Sequence, residues 1–159
     1  MYKHKLKLIE KGAKRLGINI IETCLRDGAS ADKELPSADR ILCDVPCSGL
    51  GVLSRKPEIR YKDDLIDTDL ADIQYKILCE SAKYLKKGGK LVYSTCTLNP
   101  QENNINTAKF LAEHNDFEGV ELELPPELKR AFDEKPYEIT LMPHTFDGDG
   151  FYIAVLTRR

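Results

Sequence analysis

The chain has 159 residues, 42% of them hydrophobic and 31% charged, with a formal net charge of -2 and five cysteines. That length suits one domain able to bury roughly 70% of the surface its unfolded form exposes. No apolar run approaches the ~20 residues that cross a bilayer. The start, Met1-Tyr2-Lys3-His4-Lys5-Leu6, lacks an apolar signal core, so a cytoplasmic protein is expected. The cysteines Cys24, Cys43, Cys47, Cys79 and Cys96 form no CxxC pair and no cluster with histidine, which speaks against a disulfide framework and against structural zinc.

Residues 3–16 carry Leu6, Ile9, Ala13 and Leu16 at helical spacing, with Gly17 placed to stop the helix. Lys3, Lys5, Lys7, Lys11, Lys14 and Arg15 crowd this segment, and a solvated helix face accounts for them. The β-branched run Ile18–Leu25 reads as a strand, and Arg26-Asp27-Gly28 as the turn after it. A polar connection, Ala29–Pro36, leads to a second strand, Ala38–Val45. The loop Pro46–Asp64 is long for a compact domain, and such loops usually carry function or movement. It contains a second basic group, Arg55, Lys56, Arg60 and Lys62.

A strong helix follows over Thr68–Lys86, with Leu70, Ile73, Ile77 and Leu85 on one face, Asp67 or Thr68 as cap, and Gly88-Gly89 as its end. Lys90–Ser94 reads as the third strand. Asn99, Pro100 and Glu102 make a helix start signal. That helix runs to about Glu113 and buries Ile105, Ala108 and Leu111. Glu118–Leu122 alternates like a strand, and Pro125–Phe132 suits a short helix. Glu138–Met142 and Gly150–Leu156 are two closing strands in an acidic C-terminal third. The order predicts an α/β fold with a parallel centre and an antiparallel edge.

Two stretches concentrate the chemistry. Asp39–Gly49 and Leu91–Thr97 are each a short apolar run ending in a cysteine and small polar residues. In an open α/β sheet the carboxyl ends of strands are where ligands bind. Cys24, Cys43 and Cys79 read as buried packing, whereas Cys47 and Cys96 lie just past strand ends and can face a cleft. A reactive thiol there needs a lowered pKa or an adjacent base. On these grounds alone the two cysteines rank equally.

Asp44-Val45-Pro46-Cys47-Ser48-Gly49 with Ser94-Thr95-Cys96-Thr97 resembles the paired motifs of the Sun/Nop2-type RNA (cytosine-5)-methyltransferases. The flanks match too: Arg55-Lys56-Pro57-Glu58-Ile59, Gln74 with Ile77-Leu78, Leu85-Lys86-Lys87-Gly88-Gly89, Asn99-Pro100-Gln101-Glu102-Asn103, and Asp147-Gly148-Asp149-Gly150-Phe151-Tyr152. The pattern resembles the bacterial Sun (RsmB) type, which methylates small-subunit ribosomal RNA, and the likeness covers nearly the whole chain.

The resemblance implies a Rossmann-like methyltransferase fold, mostly parallel with an antiparallel C-terminal edge, and S-adenosyl-L-methionine as methyl donor. It assigns Cys96 as the nucleophile on carbon 6 of the cytosine and Cys47 as the group that assists loss of the carbon 5 proton. Asp44 would contact the target base. Asp27, Asp44 and Pro46 would lie at the cofactor, with Asp27 against its adenine. Arg55, Lys56 and Arg60 are candidates for RNA phosphates, although ordinary surface charge accounts for them equally well. The structural alternatives are a cap carboxylate for Asp44 and a turn carboxylate for Asp27.

The family holds its cofactor in a glycine-rich loop after its first strand and on an acidic residue after its second, and neither is present in this chain. The expectation is therefore a partial catalytic domain over residues 1–159, truncated at its N-terminus, inactive or weak alone, and prone to pair as a homodimer through exposed sheet edges. The competing readings are a non-enzymatic interaction or RNA-binding module and a thiol redox protein using Cys47 and Cys96. The acidic balance counts against the first, and the lack of CxxC against the second.

Overall fold

The computed structural model describes residues 3–30, 35–61, 68–128, 130, 133–145 and 147–159. Helix α1 (Lys3–Arg15) is followed by strand β1 (Ala38–Asp44), two short 3-10 turns (Leu50–Val52 and Pro57–Tyr61), helix α2 (Thr68–Ala82), strand β2 (Leu85–Thr95), helix α3 (Asn104–Glu113) and strands β3 (Phe117–Gly119), β4 (Glu138–Leu141) and β5 (Phe151–Arg158). The sheet order is β1-β2-β5-β3, and β4 also pairs with β5. Strands β1 and β2 run parallel. The pairs β2–β5, β3–β5 and β4–β5 are antiparallel. The sheet is therefore mixed. Its antiparallel part is larger than an edge, because β5 lies between β2 on one side and β3 and β4 on the other.

The core lies between this sheet and helices α2 and α3. Leu78 and Ala82 of α2 and Phe110 of α3 meet Cys43, Leu85, Leu91, Tyr93, Tyr152, Ala154 and Leu156 from the strands. Leu78, Leu91 and Leu156 are fully buried. Each such side chain stabilises the fold by about 1.5–3 kcal/mol relative to an exposed one. Strand β5 alternates cleanly, with Tyr152, Ala154 and Leu156 inward. The opposite face of β1 is open, with Leu42 71% exposed.

Several expectations change. Ile18–Leu25 forms no strand, and Ile20 is 88% exposed. β-branched residues favour a strand only where a neighbour supplies packing and a ladder. This segment instead lies along α1, with the Ile18 amide donating to the Ala13 carbonyl at 2.9 Å and the Thr23 hydroxyl to Glu10 at 2.7 Å. Ile9 in α1 and Leu16 just after it, both of the expected stripe, are exposed. Helix α2 ends at Ala82 because Leu85 already pairs with Ala38. Gly88, at φ 73°, and Gly89 serve an irregularity inside β2 rather than a helix stop.

The inward face of α2 is Gln74, Leu78 and Ala82, while Ile73 is exposed. Of the two expected caps, Asp67 lies outside the described residues and Thr68 is the first residue of α2. Helix α3 starts at Asn104, and Asn99 instead caps the preceding turn through the Gln101 amide at 3.1 Å. Its buried face is Asn106, Thr107 and Phe110 rather than Ile105 and Ala108. The polar pair turns inward because each finds a partner: Asn106 donates to the Ala71 carbonyl at 3.0 Å, and Thr107 meets Tyr152 at 2.7 Å. The strand expected over Glu118–Leu122 is the shorter β3. Of the helix expected at Pro125–Phe132, residues 125–128 and 130 are not helical and the rest lies outside the described residues.

Candidate active site

Parallel pairing of β1 with β2 puts Asp44 opposite Ser94, so both strands end at one edge of the sheet. The chain leaves β1 through Val45-Pro46-Cys47 and leaves β2 through Cys96. The Cys47 and Cys96 sulfurs lie 3.0 Å apart, and both residues are half-buried free thiols. A disulfide would need about 2.05 Å. Burial, and then the neighbouring Cys96, push the Cys47 thiol up from 9.0 to about 12. Cys47 therefore keeps its proton at neutral pH and can donate it to the Cys96 sulfur.

The loop after Cys47 is shaped by two glycines. Gly49 sits at φ 77°, a left-handed conformation that favours glycine, and opens the turn at Leu50–Val52. Gly51 is needed for close approach. Its amide donates to the Cys96 carbonyl at 3.0 Å, and its own carbonyl accepts from the Gly150 amide at 2.8 Å. A Cβ at Gly51 would lie 2.0 Å from the Gly150 oxygen and 2.9 Å from the Cys96 oxygen. Three loops, after β1, after β2 and before β5, thus meet backbone to backbone at the thiols.

Behind them lies a buried polar network centred on Glu102, which is 1% exposed. Its Oε2 accepts from the Ser48 amide at 2.9 Å and from Gln74 Nε2 at 2.7 Å. Its Oε1 accepts from Ser48 Oγ at 2.5 Å and Asn99 Nδ2 at 3.0 Å. Gln74 Nε2 also donates to the Pro46 carbonyl at 2.8 Å. The Ser48 and Thr97 hydroxyls are 2.7 Å apart. Asn103 accepts from Thr95 Oγ1 at 2.6 Å and donates to the Thr97 carbonyl at 3.0 Å.

Of the residues singled out from the sequence, Cys47, Cys96, Asp44 and Pro46 share one sheet edge. Asp44 is exposed and carries a long contact from Ser94 Oγ at 3.4 Å. Asp27 is placed in a turn of its own, where its carboxylate accepts from the Ala29 amide at 3.1 Å and from Ser30 Oγ at 3.4 Å. Gly28 of that turn is close to Ile77 of α2, and with Ala38, Ile41 and Tyr84 it lines a cavity of about 440 Å³. Arg55 is paired with Asp149 at 3.1 Å, whereas Lys56 and Arg60 are exposed. Lys62 lies outside the described residues.

Cys43 is buried and pushed up to about 11 by desolvation, as suits core packing. Cys79 is half-buried, and Cys24, expected inside, is exposed because the strand meant to carry it does not form. The sequence placed Glu102 at a helix start and Gln74 in a matching flank without a role. A carboxylate six residues after Cys96, between Gln101 and Asn103, was the available signal.

For a nucleoside cofactor the edge offers the exposed Asp44 carboxylate beside Pro46, whose carbonyl already accepts from Gln74. Gly28 makes no cradle there, since an added Cβ would meet Ile77 at an ordinary 3.5 Å. Among the described residues no cluster of histidine, cysteine or acidic side chains could hold a metal. No described helix is long and apolar enough to cross a membrane.

The chain is 42% identical over 165 residues to the probable ribosomal RNA small subunit methyltransferase B of Bacillus subtilis, covering 100% of this chain and 36% of that protein. It is 35% identical over 158 residues to ribosomal RNA small subunit methyltransferase B of Yersinia enterocolitica, covering 98% and 34%. It thus spans about a third of the length of these relatives. Among solved structures, NSun6 from Pyrococcus horikoshii with SFG superposes with TM-score 0.84 at 29% identity, covering 99% of this chain and 39% of that one. A methyltransferase homologue from the same organism superposes with TM-score 0.79 at 25% identity, covering 99% and 51%. Residues 1–157 match the family described as 16S rRNA methyltransferase RsmB/F, and the chain belongs to that family.

Proposed function

We propose that residues 1–159 are the cysteine-bearing part of a methyltransferase catalytic domain that methylates carbon 5 of a cytidine in small-subunit ribosomal RNA. The observation that carries this reading is the pair of free thiols 3.0 Å apart at the ends of adjacent parallel strands. Carbon 5 of cytosine is a poor nucleophile. Addition of the Cys96 thiolate to carbon 6 places electron density on carbon 5. S-adenosylmethionine, when bound, supplies the methyl group to that carbon. Cys47, once it has released its own proton to solvent, takes the carbon 5 proton as a thiolate, the ring regains its double bond and the Cys96 sulfur leaves carbon 6 with the bonding pair. Asp44, exposed at this edge, is proposed to supply a proton or hydrogen bond to the ring edge as charge develops.

Asp44, Pro46 and Asp27 are the residues proposed to hold the cofactor, and SFG, an analogue of S-adenosylmethionine, in a structural neighbour supports the cofactor class. Arg55, Lys56 and Arg60 are proposed phosphate contacts. The homodimer expected from exposed sheet edges finds no support in the comparisons.

The chain alone is proposed to be weak, so the test grafts it onto a longer relative. These residues replace the matching segment of the Bacillus subtilis protein, and the chimera meets S-adenosylmethionine and RNA containing 5-fluorocytidine, whose carbon 5 cannot release a proton. A covalent protein–RNA adduct that disappears in Cys96→Ala is expected. An adduct that persists in Cys96→Ala overturns the assignment, and RNA binding without any adduct favours the non-enzymatic reading.

A further inference from the structure

We propose that Glu102 is a positioning residue that clamps the Cys47 loop against the Cys96 loop. This inference rests on the proposed roles of the two thiols and names what holds them. The contacts of the buried carboxylate fall on neighbours of the cysteines. Ser48, directly after Cys47, donates both its amide and its hydroxyl to Glu102. Thr97, directly after Cys96, meets the Ser48 hydroxyl at 2.7 Å. Gln74 binds Glu102 with one N–H and the carbonyl of Pro46, directly before Cys47, with the other. Both sides of Cys47 are thus fixed to one carboxylate, and the Cys96 side is tied to the same point through one hydroxyl.

The donors define what the site requires. Ser48 N–H, Gln74 Nε2 and Asn99 Nδ2 can only donate, so the group among them must be an acceptor at both ends. A carboxylate provides this. A glutamine keeps one oxygen for the Ser48 amide and Gln74, and its NH2 can donate to the Ser48 hydroxyl, so only the Asn99 contact is lost. An alanine leaves buried donors unpaired and frees the Ser48 loop. Glu102 lies behind Ser48 and acts on the chemistry through the loop that presents Cys47.

The test reads thiol proximity directly and needs neither RNA nor cofactor. The folded chain is equilibrated with oxidised and reduced glutathione, and the Cys47–Cys96 disulfide is quantified by peptide mapping. Two protein thiols give up two electrons and two protons, and one glutathione disulfide becomes two thiols, so the yield measures the effective concentration of one sulfur at the other. Glu102→Ala is expected to lower that concentration about tenfold with helical content retained, and Glu102→Gln to stay within about threefold of the parent.

An unchanged value in Glu102→Ala, or a loss in Glu102→Gln equal to that in alanine, overturns the proposal. Should Glu102→Ala fail to fold, Ser48→Ala, which cuts the link to Thr97 but keeps the amide contact, is expected to lose about threefold, and no loss overturns the clamp. These outcomes are independent of the fluorocytidine adduct. A clamp without an adduct would remove the methylation reading alone, and an adduct without a clamp would remove this inference alone.

Discussion

Replacing Gly51 by alanine tests the packing that brings the three loops together. Gly51 has no left-handed φ, so the cost does not come from backbone conformation. It comes from space: the new methyl would lie 2.0 Å from the Gly150 oxygen, 2.6 Å from its carbonyl carbon and 2.9 Å from the Cys96 oxygen. All three are backbone atoms, and no rotamer change relieves the overlap. Separating the strands of chain breaks the Gly51–Cys96 and Gly150–Gly51 hydrogen bonds. Two lost bonds and forced repacking together cost about 3–5 kcal/mol. Urea unfolding followed by circular dichroism is the assay, with a midpoint shift of about 2 M expected at an ordinary m-value. Gly12→Ala is the control, because a methyl at this helical site meets nothing within 4 Å. It should stabilise by about 0.5–1 kcal/mol. A Gly51→Ala midpoint within about 0.3 M of the parent would refute the close-approach argument.

Cys47, with its pKa raised from 9.0 to about 12, presents about a thousandth of the thiolate of an ordinary thiol at pH 8 and should resist iodoacetamide. Because the folded value is the higher one, its contribution to stability is complete below pH 9.0 and is lost as pH rises toward about 12. Cys96→Ala removes two causes of the raised value and should speed Cys47 labelling at fixed pH, and slower labelling would count against the pairing. Tyr152→Phe removes a donor 2.6 Å from Glu138, a buried carboxylate, and should cost about 1–3 kcal/mol in thermal melts. A cost below about 0.5 kcal/mol would show that other donors satisfy Glu138.

How much of this was legible follows from what each residue depends on. Strands β1 and β2 and the thiols at their ends were readable, because a short apolar run followed by small polar residues marks a strand end locally. Helices α2 and α3 were readable as elements but not in their inward faces. Gln74, Asn106 and Thr107 turn inward only because Pro46, Ala71 and Tyr152 supply partners distant in sequence. The failed strand at Ile18–Leu25 shows the same dependence, since its composition suits a strand but no described strand pairs with it. Gly88-Gly89 signalled a break correctly, but a bulged strand and a helix end use the same glycine freedom. Glu102 was visible as an acid at a helix start, yet its role exists only once Ser48, Gln74 and Asn99 converge on it.

The separation of 3.0 Å between sulfurs also bears on the order of events in the proposed reaction. At rest, burial holds the proton on Cys47, and the neighbouring Cys96 sulfur adds to that hold. A Cys47 thiol in this state is a donor and a poor base. Once Cys96 has bonded to carbon 6 of the ring, its sulfur is a neutral thioether. The contribution of the free Cys96 sulfur to that hold is then gone, and burial remains to oppose ionisation of Cys47. Cys47 thus becomes the better base after the nucleophile has been used, when a carbon 5 proton awaits removal. In the proposed reaction this coupling needs the two sulfurs in contact, and loops from three parts of the chain are fixed together at this edge. A looser pair could still attack the base but would release product slowly, so disturbing the loops should affect the second half of the reaction more than the first.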